Sequence, residues 1–129
     1  MDKNTGIISI PSIYTVAQTI DKLETALRAH GVTVYTRIDQ QTEAQKAGLS
    51  LRPIQLLIFG NPKAGVPIMA KTPLAALDLP LKALAWEDDN GRTWLSYNSF
   101  VYLQDRYALP DELIRVMAGV EKLIREAIA

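Results

Sequence analysis

The 129-residue chain has no cysteine and one histidine, and its 14 Lys and Arg balance 14 Asp and Glu. Without thiols there can be no disulfide, Cys-ligated zinc, iron–sulfur cluster or thiol catalysis. One histidine is too few for a His-rich metal site, and no metal or other cofactor is expected. A net charge of zero argues against a nucleic-acid partner, whose phosphates require a basic surface. No window holds enough consecutive apolar residues to span a bilayer. The apolar C-terminal stretch is interrupted by Glu121, Lys122, Arg125 and Glu126. Met1-Asp2-Lys3-Asn4 is polar, and the run Ile7-Ile8-Ser9-Ile10 ends at Pro11, too short for a signal peptide. The expected compartment is therefore the cytoplasm. What is present is ordinary for a globular domain: 48% hydrophobic and 22% charged residues. The length fits one domain, large enough to bury a core without a staple.

Thr5 to Ile10 reads as a first strand stopped by Pro11. Thr15 and Gln18 form a capping box for a helix whose apolar stripe is Val16, Ile20, Leu23 and Leu27. Gly31 suits the position just past its end, where a positive φ is needed. Val32 to Asp39 alternates, with Val32, Val34, Thr36 and Ile38 on one face and Thr33, Tyr35, Arg37 and Asp39 on the other. A weak helix over 40–47 ends at Gly48. Ile54 to Phe59 is nearly all apolar, which predicts a central strand covered on both faces. The long connection after it contains Asn61-Pro62 and Thr72-Pro73, each a cap followed by proline at the first helical position. Two short helices follow from this, the second ending near Leu79-Pro80. Leu81 to Glu87 and Arg92 to Tyr97 form a hairpin. A type I turn at Asp88-Asp89-Asn90-Gly91 sets Trp86 opposite Trp94, whereas a two-residue Asn90-Gly91 turn sets it opposite Leu95. A helix over 98–107 and a last one opened by Pro110 complete the chain. The stripe of the last helix is Leu113, Met117, Val120, Ile124 and Ala127, widened by Ile114, Val116, Leu123 and Ile128. This order predicts an α+β fold with a mainly antiparallel sheet and helices packed on one face.

These segments resemble the DUF302 family of domains of unknown function. The likeness rests on a strand ending Arg37-Ile38-Asp39, then Ala47-Gly48-Leu49, Arg52-Pro53 and Leu57-Ile58-Phe59-Gly60-Asn61-Pro62. It continues through Ala76-Leu77-Asp78-Leu79-Pro80-Leu81-Lys82, Trp86-Glu87-Asp88, Tyr97-Asn98 and Tyr102-Leu103. It implies a TBP-like β-α-β(4)-α fold and a homodimer, and no activity. Members commonly have His directly after the Asp that ends the second strand. Here that residue is Gln40, which cannot titrate and is a poor metal ligand.

Several residues can carry chemistry, each with a plainer alternative. Arg37 with Tyr35 and Asp39 can clamp an anion and orient it or take its proton. Alternatively, Arg37 and Asp39 form an ion pair and Asp39 caps the helix at Gln40. Asn61 and Lys63 at a helix start can hold a phosphate or carboxylate, or simply make a capped turn. Asp78 is either a perturbed carboxylate or a helix-ending side chain. His30 fits a helix C-terminus, Glu87-Asp88-Asp89 a solvated turn, and the aromatics Trp86, Trp94, Tyr97, Tyr102 and Tyr107 core packing and subunit contact. Three functional readings follow. The first is a homodimer binding a small anionic or amphiphilic ligand through Tyr35, Arg37, Asp39, Gln40, Asn61, Lys63 and Asp78. The second is an interaction module that pairs through the last helix, where Gly119 permits close approach. The third is an enzyme with Asp39 or Asp78 as general base.

Overall fold

The computed structural model describes residues 6–129, with the side chain of Val116 outside the described residues. The expected strand start at Thr5 and the polar Met1–Asn4 segment also lie outside them. The element order is β1 (Ile7–Ser12), α1 (Val16–Ala29), β2 (Thr33–Asp39), α2 (Gln40–Lys46), β3 (Ile54–Gly60) and α3 (Pro62–Lys71). A 3₁₀ helix (Pro73–Leu77) comes next, then β4 (Leu81–Glu87), β5 (Thr93–Asn98), α4 (Phe100–Tyr107) and α5 (Asp111–Ala127). The five strands form one sheet in the order β1-β5-β4-β3-β2, with every neighbouring pair antiparallel. The fold is α+β, as expected from the order of the segments.

Local chemistry sets the ends of α1. Thr15 Oγ accepts from the Gln18 N–H while Gln18 Oε1 accepts from the Thr15 N–H, and Gly31 follows the helix at φ +75°. Val16, Ile20, Leu23 and Leu27 are buried, as their spacing predicts. They cover one face of the sheet at Leu57, Phe59, Ala83, Ala85, Leu95 and Tyr97, all buried. Thr19, with no exposed surface, shares a 2.7 Å hydrogen bond with Ser12 on β1.

In the hairpin, Gly91 lies at φ +79° and Trp86 stands opposite Trp94, which selects the four-residue turn over the two-residue one. Elsewhere the structure corrects the sequence reading. Pro11 does not stop β1 but pairs with Trp94 inside it. Because β1 is an edge strand, one side of its backbone has no ladder to complete, so the missing N–H is tolerated. Asn98 ends β5 instead of opening a helix; Ser99 caps α4 by accepting from the Tyr102 N–H. Pro110 is the cap of α5 and not its first residue. Thr72 makes no side-chain cap, and the 3₁₀ helix ends at Leu77.

The largest correction concerns β2. Val34 pairs with Phe59 and Thr36 with Ile58, so Tyr35 is an extra residue with no partner across the ladder. A bulge of this kind reverses the facing of every residue beyond it. Val34 lies on the helix side. So does Arg37, opposite buried Leu57, while Thr36 and Ile38 turn to the opposite face. Leu57 and Phe59 are buried while Ile54, Leu56 and Ile58 are only half-buried, so β3 is covered on one face, not both.

Candidate functional site

Beside the helix-covered end of β3 lies a cavity of about 130 Å³. Its floor is Phe59 and Gly60, and its walls come from Val32, Leu79, Leu81, Met69 of α3, and Met117 and Val120 of α5. These walls are almost wholly apolar. Two polar side chains stand among them, Tyr35 and Asn61, and both are uncharged.

Each has a structural reason to be there. The bulge turns Tyr35 toward the end of β3, where its ring lies 3.6 Å from the position a Cβ would take on Gly60. The ring is half-exposed, and its hydroxyl has no hydrogen bond among the described residues. Asn61 caps α3, its Oδ1 accepting from the Lys63 N–H at 3.0 Å. The Ala64 and Gly65 N–H groups already donate to the Asn61 carbonyl, and Pro62 has none. The first turn of α3 therefore has no idle amide for an anion.

The remaining candidates are not brought together at the cavity. Arg37 turns toward α1, with Nη1 2.6 Å from Asp21 and 3.5 Å from Glu24 and Nε donating to Gln55 at 2.8 Å. Its ion partners are on α1, not Asp39. Asp39 accepts from the Thr42 N–H and caps α2, whose first residue is Gln40. Lys63 is exposed on α3, with no ion-pair partner among the described residues. Asp78 accepts from Arg106 and from the Tyr107 hydroxyl, fastening α4 to the segment after the 3₁₀ helix. His30 sits at the end of α1, its Nδ1 2.9 Å from the Ala26 carbonyl.

Among the described residues, three side chains have displaced acidities. Burial, reinforced by donation to Glu121 at 2.8 Å, raises the Tyr97 phenol well above its ordinary range. Asp78 raises Tyr107 by accepting its proton in a hydrogen bond. Asp88 is lowered, first by the Trp94 indole N–H and then by the Arg92 backbone N–H. None of the three lines the cavity. No cluster of three or more His, Cys, Asp or Glu suited to a metal ion occurs among the described residues.

Met69, Met117, Val120 and Leu79 were not anticipated as site residues. In sequence they read as stripe and connection residues, because an apolar wall and a core position use the same side chains. The available signal was the length of the connection between β3 and β4, which folds into the roof of the cavity.

A family model described as "Domain of unknown function DUF302" matches residues 8–129. Over 106 residues the chain is 40% identical to proteins named "Fluoride-specific ion channel FluC 1" from Brucella suis biovar 1 (strain 1330) and Brucella abortus biovar 1 (strain 9-941). The aligned region is 82% of this chain and 42% and 39% of those proteins, so the chain spans about two fifths of their length. Among solved structures, an uncharacterised conserved DUF302 protein from Bacillus stearothermophilus superposes with a TM-score of 0.78 at 21% identity, covering 95% of each chain.

Proposed function

The chain belongs to the DUF302 family, and from that premise we propose that it is a ligand-binding domain, acting as a cytoplasmic homodimer, whose cavity takes the apolar part of a small amphiphilic molecule. The observation that supports this most is the character of the cavity. Its volume of about 130 Å³ approaches the roughly 150 Å³ of an apolar protein cavity that takes up benzene. Apolar walls with a few convergent polar groups are the usual makeup of a small-molecule site. The Tyr35 hydroxyl and the Asn61 amide supply hydrogen bonds for a polar head, and exposed Lys63 stands one helical position beyond Pro62. Arg37 and Asp39 take no part, because both are engaged elsewhere.

The enzyme reading has less to support it. Asp39 and Asp78 are held in a helix cap and an inter-element tie, and neither lines the cavity. Fluoride conduction belongs to the name of the Brucella proteins and is not carried over. No described helix is long and apolar enough to cross a membrane, and the alignment covers a minority of those proteins.

A thermal-shift screen of short carboxylates, alcohols and aromatic acids tests the proposal. At least one class should raise the melting temperature of the wild type. Ala64 of α3 also lines the cavity, and Ala64→Leu, which adds bulk there, should abolish the rise while the protein stays folded. A panel without hits, or a rise undiminished in Ala64→Leu, overturns the reading.

A further inference from the structure

We infer that the apolar cavity is one half of a larger site whose other half holds a zwitterionic head, so that the ligand is an α-amino acid with a compact apolar side chain. The inference rests on the cavity reading above and names its ligand class. A groove of about 360 Å³ runs along α5 beside the end of α1. It shares Val32, Asn61 and Val120 with the cavity, so the two adjoin and one molecule can reach into both. Their linings differ. The cavity wall carries no charged side chain, whereas the groove carries Lys122 and Glu126 of α5, with His30 at the end of α1. Gly119, in the middle of α5, also lies on the groove. Glycine weakens a helix interior, and its usual reason there is the close approach of another element. No element approaches here: a Cβ on Gly119 would meet nothing within 4 Å. The missing side chain keeps the groove open and does not serve the chain's own packing.

The polar groups of the groove match both charges of an amino acid. Lys122 Nζ and Glu126 Oε1 stand 3.8 Å apart, too far for a hydrogen bond, and both side chains are mostly exposed. A loose, solvated pair gains little from its own contact, so each member can turn to an opposite charge on a ligand at small cost. The Lys122 ammonium meets a carboxylate, and the Glu126 carboxylate meets an ammonium. A ligand with one charge satisfies one member and is repelled by the other, which selects a head with both. His30 and Asn61 extend the match. The Ala26 carbonyl beside His30 Nδ1 can only accept, so Nδ1 carries the proton and Nε2 of the neutral ring is left to accept from an N–H. Asn61 uses its Oδ1 on the Lys63 N–H and keeps its amide NH₂ to donate, at the border of cavity and groove. The cavity itself, close in volume to one that holds benzene, takes a side chain the size of phenylalanine's or leucine's.

Isothermal titration with L-phenylalanine, 3-phenylpropanoate, 2-phenylethylamine and benzyl alcohol tests the assignment. The second compound lacks the ammonium, the third the carboxylate and the fourth both. Phenylalanine should bind the wild type roughly ten times more tightly than each of the others, or better. Lys122→Gln should erase its advantage over 2-phenylethylamine, and Glu126→Gln its advantage over 3-phenylpropanoate. Gly119→Leu, with circular dichroism as the folding control, should weaken phenylalanine by roughly tenfold and leave benzyl alcohol unchanged. Phenylalanine bound no more tightly than its one-charge analogues, or undiminished in both Lys122→Gln and Glu126→Gln, overturns the amino-acid assignment even if Gly119→Leu fails to fold. Benzyl alcohol that still binds in that case, and is lost in Ala64→Leu, leaves the cavity reading standing. Binding of none of the four overturns the assignment, and the thermal-shift screen decides the cavity reading separately.

Discussion

Tyr97 shows how one buried hydroxyl ties the sheet to the helix layer. Only 4% exposed on β5, it donates to Glu121 of α5. Its phenol is raised in the folded protein, while the unfolded chain keeps the ordinary value near 10. A raised folded value contributes stability that is complete below about pH 10 and is lost as pH climbs above it. Tyr97→Phe should cost about 1 kcal/mol at neutral pH and flatten the alkaline loss, as read from urea melts between pH 8 and 11. Asp88 has the opposite sign. Its lowered folded value gives a contribution present above about pH 4 that disappears as pH falls through the lowered value. Asp88→Asn should be the less stable protein at pH 7, with the gap closing toward pH 2. At this scale much was legible. The Thr15 and Asn61 caps and the Gly91 turn announce themselves because each depends on neighbours within a few residues. The partners of Tyr97 and Arg37 are 24 and 16 residues away, and no local pattern encodes them.

Among the elements, β2 is where sequence and structure part. The alternation of Val32, Val34, Thr36 and Ile38 runs without interruption through the segment, so nothing in it marks Tyr35 as extra. The bulge is a property of the pairing, fixed by Val34 meeting Phe59 and Thr36 meeting Ile58. Its effects are large. Tyr35 is delivered to the cavity, and Arg37 is sent to α1 to join Asp21 and Glu24. Arg37→Ala should therefore lower stability by about 1–2 kcal/mol, through lost charge-assisted hydrogen bonds that are partly screened by water. It should leave affinity for any cavity ligand unchanged. Chemical denaturation and a ligand titration on the same variant separate the two effects. An affinity loss with unchanged stability would return Arg37 to the binding site.

At the scale of the whole molecule, α1 lies against the sheet, α5 packs on α1, α3 and α4, and the cavity lies where β3, α3 and α5 converge. That arrangement was only half visible beforehand. Element order is enough for an antiparallel α+β fold, but a cavity assembled from residues 32 to 120 depends on how layers meet. Ligand binding at this site would act on the entire cooperative unit. At one hundred times its dissociation constant, a ligand adds about 2.7 kcal/mol, or roughly 10 °C in melting temperature for a domain of this size.

The two borders of the sheet also shape what this protein can become. Pro11 interrupts the free margin of β1, and the Tyr35 bulge distorts the free margin of β2. Ribbon growth by strand addition needs a straight run of idle amides and carbonyls, and neither margin offers one. The chain is thus guarded against lateral polymerisation into fibrils.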